Sequence, residues 1–514
     1  MTVISHLYDL RWAVLGVLLA VYVGKKVRAY NRLKAFNGPF ISGWSEIWHV
    51  FAILSFKSHL KYHEVCKKYG SIVRIGPNDL VTSSPELLLH MSAVRSQYTR
   101  TEWFYRACRV RPDKDHVFSE MDEEKHRQLR AKLGAGYSGK ENLALEDSVD
   151  THVSELLDLI RSKYLSTEAS ARPLDLSQKI QYLTLDVISH ISFGTPFGDL
   201  SSDSDAYDIA RSAEEGLTAV TAIIALGLYK VLQNPFAARY IGIKETDPSG
   251  YGRMTANGRA IIKERLSRDT EKKSDMIASF IRHGMDEDDI VSEATLQMIA
   301  GSDTTAASLR VVMLYLLTHP RVYAKLQAEI DAFHADKQVH EASGIISDAS
   351  ARKLEYLQAV IKEGMRVHPP VTDSVPKRVP DEGDTVIIDG RAMYLPGGTN
   401  VNYAVWPLHL SKDIFGEDAE EFRPERWLLE TNESKLATMN KVHELVFGYG
   451  KYQCLGRPIA MMEIGKTVFE LIRNFDWCLA KPDTPWRESN YAGIFAHSNM
   501  WVLASERQRG LVNV

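Results

Sequence analysis

The chain has little cysteine: four residues in 514, Cys66, Cys108, Cys454 and Cys478. They are scattered, with no C-x-x-C pair and no Cys/His spacing suited to zinc, which argues against a disulfide-built secreted fold and against a thiolate zinc module. Charge of one sign is also lacking. Lys and Arg number 62 against 66 Asp and Glu, a formal net charge of −4, so nothing electrostatic calls for a nucleic-acid partner. No internal repeat and no long low-complexity linker divides the sequence. Long apolar runs are scarce as well. The strongest, Trp12–Val23, reads WAVLGVLLAVYV and is shorter than the ~20 residues that comfortably span a bilayer.

A basic stretch comes directly after that run: Lys25, Lys26, Arg28, Arg32 and Lys34 lie within KKVRAYNRLK. Positive charge on the C-terminal flank holds that side in the cytosol and leaves the short N-terminus across the membrane. A cleaved signal peptide has the reverse order. Residues 1–35 are therefore expected to be a transmembrane anchor with its basic flank, with an interfacial helix as the alternative reading. Residues 36–514 are expected to form one undivided body. Apolar spacing near three and four predicts helices at Ser58–Tyr69, Glu123–Lys132, Asn142–Tyr164, Leu174–Ile191, Ala206–Leu232, Gly258–Leu266 and Asp289–Thr318. Short strands are expected at Ile72–Ile75, Leu80–Thr82, Val386–Ile388 and Met393–Leu395, and the charged stretch 267–275 as a solvated loop. The fold class expected is mainly α with small β-sheets, in a single large domain.

Four stretches carry chemistry. FGYGKYQCLG (Phe447–Gly456) sets Cys454 among Gly448, Gly450 and Gly456, an arrangement open to a packed thiol, a redox thiol, a nucleophile or a metal ligand. AGSDTT (Ala300–Thr305) lies inside the longest predicted helix, where Gly301 costs ~1 kcal/mol relative to alanine and so needs a packing or functional reason. Asp303 and Thr304 can pick up and deliver a proton; the plainer reading is a polar stripe with threonine bonded back to its own turn. In EGMR, Glu363 and Arg366 share a helix face. Arg426, in FRPERW, offers a second guanidinium that would make a bidentate, partly buried network with Glu363.

In this order the four stretches resemble the cytochrome P450 family of heme-thiolate monooxygenases, and the resemblance runs from the N-terminal helix almost to the C-terminus. Phe447, Gly450, Cys454 and Gly456 match the family's axial-cysteine motif, and Ala300, Gly301, Asp303 and Thr304 its oxygen-activating helix. Glu363, Arg366 and Arg426 match its structural triad. The resemblance implies a heme b cofactor bound through the Cys454 thiolate, with His126, Arg130 and Arg378 as propionate contacts. It also implies catalytic proton delivery by Asp303 and Thr304. One departure is Tyr452, where the family usually has Arg or His; Lys451 beside it is expected to supply part of the missing charge. Cys454 directly precedes a strong helix pattern, LGRPIAMMEIGKTVFELI, whose N-terminus favours the thiolate.

The implied partners are an NADPH-dependent cytochrome reductase, cytochrome b5 as an optional second donor, O2 and a lipophilic small molecule. A terpenoid, polyketide or alkaloid of fungal secondary metabolism fits that substrate class. The implied location is the endoplasmic reticulum membrane, with the catalytic body cytosolic. Residues Trp103–Arg106, Leu217–Leu232, Gln297–Asp303, Val371–Val375 and Ala496–Met500 are expected to line the substrate pocket. Two rival readings are a heme-thiolate isomerase or dehydratase and a non-catalytic membrane heme protein; retention of Asp303–Thr304 favours oxygen activation over both.

Overall fold

The computed structural model describes residues 2–111, 113–232, 234–267, 274–335 and 344–508. The helices used below are α1 (Thr2–Arg32), α2 (Ser58–Tyr69), α3 (Glu123–Tyr137), α4 (Leu145–Leu159), α5 (Leu176–Phe193), α6 (Ile209–Leu226), α7 (Gly250–Leu266), α8 (Met276–Arg282), α9 (Glu287–Thr318), α10 (Glu355–Val367) and α11 (Arg457–Asn474). The expected helices are present, with two local differences. The pattern over 206–232 is divided, because Gly227 takes a left-handed conformation (φ 64°) after Leu226 and a separate turn, Tyr229–Leu232, follows. The pattern ending at Tyr164 finishes as a π turn, Ile160–Tyr164. Most of the charged stretch 267–275 lies outside the described residues.

The spine is α9, 32 residues long. Asp286 caps it by accepting from the backbone N–H of Asp289, and Glu287, Asp288 and Asp289 place negative charge on its first turn, where the helix dipole favours it. It packs against α5, α7, α10 and α11. Gly301 has a packing reason: a Cβ there would come within 2.8 Å of the Ile188 side chain on α5.

Among the described residues twelve short strands surround the helices. β1 (Ile72–Arg74), β2 (Asp79–Thr82) and β3 (Thr99–Arg100) are followed by β4 (Leu174–Asp175) and then β5 (Asp373–Arg378). β6 (Asp384–Ile388), β7 (Arg391–Leu395) and β8 (Asn400–Ala404) come next. β9 (Phe475–Leu479), β10 (Arg487–Tyr491), β11 (Ile494–Ser498) and β12 (Trp501–Glu506) end the chain. The largest sheet has the order β1-β2-β8-β5-β3, with β2 and β8 parallel and the other pairs antiparallel. Its β5 is bulged: the register with β8 shifts between Ser374 and Lys377, and Val375 there has φ 46°.

The expected transmembrane anchor is not supported. Residues Trp12, Val14, Leu15, Val17, Leu18, Leu19, Val21, Tyr22 and Val23 are exposed on α1. Among the described residues, however, no helix is long and apolar enough to cross a membrane. At ~1.5 Å per residue the apolar run Trp12–Val23 covers ~18 Å of a ~30 Å hydrocarbon core. The end of α1 is fastened to the sheet instead: Arg74 donates to the carbonyls of Tyr30 (2.9 Å) and Ala29 (3.0 Å), and Arg32 donates to Asn78 Oδ1 (2.8 Å).

Glu363, Arg366 and Arg426 meet as expected, at 0%, 0% and 2% exposure. Arg366 grips Glu363 with two bonds, Nε to Oε2 (2.9 Å) and a terminal nitrogen to Oε1 (2.8 Å), while Arg426 Nε donates to Oε1 at 2.8 Å. Trp427 Nε1 adds a bond to Oε2 at 2.9 Å and the backbone N–H of Arg423 one to Oε1 at 2.9 Å. The remaining guanidinium hydrogens reach the carbonyls of His409, Ala419, Phe415, Asp418 and Glu421. Removing this carboxylate strands the buried Arg366 and leaves Arg426 with Asp418 Oδ1 (3.0 Å) as its anionic partner, a loss of about 3–5 kcal/mol. Glu363→Gln is therefore expected to lower the denaturant midpoint sharply and to yield mostly heme-free protein; a midpoint equal to that of the unsubstituted chain would contradict the network's role.

Candidate active site

The cysteine loop is shaped by its glycines. Gly448 and Gly450 have φ of 70° and 61°, and a Cβ on Gly450 would lie 2.1 Å from the carbonyl oxygen of Ser92. Neither position accepts a side chain without strain. The N–H of Cys454 donates to the Phe447 carbonyl at 2.8 Å, closing the loop, and α11 begins three residues on, with Pro458 in its first turn. Cys454 is exposed by surface area, yet burial raises its thiol pKa, so it lines an interior hollow. The N–H groups of Gly456 and Arg457, with the guanidinia of Arg130 and Arg457, act in the opposite direction and favour the thiolate.

Cations gather beside this loop. The Tyr452 ring has Lys377 Nζ 3.2 Å and Arg100 Cζ 4.5 Å from its centroid, so the phenol is a platform for positive charge. Its hydroxyl donates to Glu123 Oε1. Arg100 donates to the carbonyl of Glu120 (2.8 Å) and to His126 Nε2 (2.9 Å), which fixes the His126 proton on Nδ1. Burial, then Arg100, pushes the His126 pKa down to about 3, so this ring is neutral. Burial and Arg100 likewise lower the Lys377 ammonium well below its ordinary value. Among the described residues none of Arg100, Arg130 and Lys377 pairs with a carboxylate.

Two sequence expectations change here. Arg378 does not join the cluster: it pairs with Asp381 and its side chain is 45% exposed, whereas Lys377 is buried. The bulge at Ser374–Lys377 sets the parity of β5, so Lys377 faces in and Arg378 out. Lys451 is not a spare charge, because it pairs with Glu123 Oε2 (3.0 Å) and donates to the Ser96 carbonyl (3.0 Å). Arg100 and Lys377 went unnoticed in the sequence; Arg100 sits in a 2-residue strand that no periodicity marks.

On α9 the stripe Leu296, Ala300 and Thr304 is left partly uncovered while most of the helix is buried. Thr304 Oγ1 donates to the Ala300 carbonyl at 2.8 Å, the bonded-back arrangement. Asp303 Oδ1 accepts from Gln181 Nε2 (2.8 Å), and its buried Oδ2 has no partner. Burial pushes the Asp303 carboxyl up to about 6, against the pull of Arg310 and Gln181.

Residues 39–499 match the cytochrome P450 family profile. The chain belongs to that family. It is 38% identical over 486 residues to cytochrome P450 monooxygenase ABA1 of Pyricularia oryzae, covering 93% of both chains. It is 36% identical over 472 residues to the aba1 monooxygenase of Botryotinia fuckeliana, covering 91% of both. It is 31% identical over 478 residues to abl1 of Leptosphaeria maculans, covering 91% of this chain and 82% of the relative. This P450 is an oxidoreductase that incorporates oxygen, and its family implies a heme-iron cofactor.

The residues present fit that group. Buried cations without carboxylate partners suit two propionates, a thiol backed by N–H donors suits an axial ligand, and two left-handed glycines bring backbone close. A cavity of about 440 Å³ beside the cluster is lined by Arg100, Trp103, Met121, Tyr229 and Arg378, which joins two of the expected pocket segments. In the expected segment Val371–Val375, Thr372 N–H donates to the Gly493 carbonyl (2.8 Å), and just before that segment the Pro370 carbonyl accepts from Phe495 N–H (3.1 Å).

The parity of β5 gives a direct test. Lys377→Met removes a charge-assisted contact worth about 1.5–3 kcal/mol, so heme transfer to apomyoglobin should speed up roughly 10- to 100-fold. Arg378→Met should leave that rate unchanged, and the reverse pattern would return the contact to Arg378.

Proposed function

We propose that this P450 hydroxylates or otherwise oxidises a lipophilic small molecule of fungal secondary metabolism, a terpenoid, polyketide or alkaloid intermediate, with heme b as cofactor. Electrons come in two steps from an NADPH-dependent reductase, with cytochrome b5 as an optional donor. The observation that carries this reading is Asp303: a buried carboxyl with one unpartnered oxygen and a pKa of about 6, directly beside Thr304. Such a group exchanges a proton near neutral pH, as oxygen activation requires.

When bound, the heme supplies the site at which oxygen is held and activated. Cys454 would ligate its iron, and Arg100, Arg130 and Lys377 would hold its propionates. Asp303 holds or releases a proton at Oδ2, and Thr304 Oγ1 passes it on once it leaves the Ala300 carbonyl. Gln181 and Arg310 keep the carboxyl of Asp303 oriented.

We place the chain at the endoplasmic reticulum membrane with the body on the cytosolic side. The exposed apolar residues of α1 and the basic residues after them support attachment there. On the body, Lys125 and Lys441 are exposed and free to meet an acidic reductase face, while Arg127, Lys451 and Arg457 already have acidic partners.

Expression with a reductase in a host fed terpenoid, polyketide and alkaloid scaffolds should give a product one oxygen atom heavier, dependent on NADPH and O2. Asp303→Asn should cut kcat by about 10²–10⁴. The carboxyl's pKa is raised, so its contribution to stability is complete below its unfolded pKa and is lost as pH rises through about 6. Asp303→Asn should remove that step from the stability–pH curve. An unchanged kcat would sink the assignment.

A further inference from the structure

The seam between α4 and α5 carries a cluster that the oxidation chemistry leaves unused. His152 on α4 has a side chain only 1% exposed, with Nδ1 2.7 Å from Glu155 Oε2 and Nε2 3.0 Å from Nδ1 of His190 on α5. Asp186, fully buried one turn before His190, adds a second carboxylate. One potential ligand atom from each of His152, Glu155 and Asp186 lies within 4.8 Å of the others. Asp186 accepts from three backbone N–H groups, those of Gly198 (2.7 Å), Asp199 (3.1 Å) and Leu200 (2.9 Å). An ionised carboxylate has about four acceptor sites, so one remains.

The charge does not balance. Among the described residues no lysine or arginine pairs with Glu155 or Asp186. Two carboxylates therefore flank one imidazole without a cation, and Glu155, 41% exposed, leaves a path from solvent. Glu363 and Asp275, buried elsewhere in the chain, are each neutralised by a guanidinium.

We propose that His152, Glu155 and Asp186 form a zinc site on this seam, with His190 as the outer support of His152. An imidazole and two carboxylates are zinc ligands at ~2.0–2.2 Å, and a water fills the fourth tetrahedral position on the open side. Without metal, the His152 proton sits on Nδ1 and is donated to Glu155. With zinc on Nδ1, that proton moves to Nε2 and is donated to His190 Nδ1, whose own proton shifts to its Nε2, giving the outer bond that orients a ligating histidine. Zinc thus links α4 to α5, and the latter also bears Gln181, the partner of Asp303.

Chelator-treated holoenzyme titrated with Zn2+ by calorimetry, with metal content measured after dialysis, tests this. The expected result is one zinc per chain and a higher melting temperature. Glu155→Gln, at an exposed position, should weaken binding at least tenfold, and His190→Gln about 10- to 100-fold through the lost outer bond. The heme spectrum reports that both variants fold, independently of any substrate. No binding, or the same affinity in all three proteins (adventitious zinc only), overturns the proposal.

Discussion

Glu363 is a fully buried carboxylate held by two guanidinia, an indole and a backbone N–H, and the position of the cysteine loop depends on it. The two arginines spend their other hydrogens on carbonyls, and on Asp418 Oδ1, from the stretch between His409 and Glu421, which has little regular structure of its own. Irregular backbone of this kind needs its polar groups satisfied if it is to be buried. The same helix continues the support: the carbonyl of Lys362 bonds His443 Nε2 at 3.0 Å, and His409 Nε2 bonds the carbonyl of Val442 at 3.1 Å. Four residues after His443 comes Phe447, whose carbonyl closes onto the N–H of Cys454. A rigid ionic knot on α10 is thereby transmitted to a thiol on the far side of a loop rich in glycine.

The site that results is electrostatically lopsided. Tyr452 collects Lys377 and Arg100 on its ring, His126 stays neutral against Arg100, and Glu123 takes up Lys451 and the Tyr452 hydroxyl. Buried cations left without carboxylates are costly unless an anionic group completes them. The heme that family membership implies carries two such groups. On the opposite wall, Asp303 sits near neutrality because burial and Arg310 pull its carboxyl in opposite directions. Fold and chemistry are connected here through α5, which packs on Gly301 and also supplies Gln181 to Asp303.

Much of this was legible in the residues. Ser58–Tyr69 has the bounds its apolar spacing predicts, and α9 begins two residues before its expected start. The Glu363–Arg366 pair follows from i,i+3 geometry, and its burial from the aromatic, proline-fixed setting of Arg426. Other features depend on contacts that spacing does not encode. A bulge at Val375 reverses which of two adjacent basic residues faces inward, and no pattern in VPKRVP announces it. Lys451 looked available because its partner Glu123 is far away in sequence and only the fold brings the two together. The N-terminal run read as a span because its flank charges were right, although its length falls short.

Thiolate ligation by Cys454 is the claim on which the chemistry rests. The carbon-monoxide difference spectrum of the reduced full-length protein measures it directly. The account predicts the red-shifted thiolate band, and in Cys454→His a protein that keeps heme but loses that band. Absence of the band in the unsubstituted chain, or its persistence in Cys454→His, would contradict it.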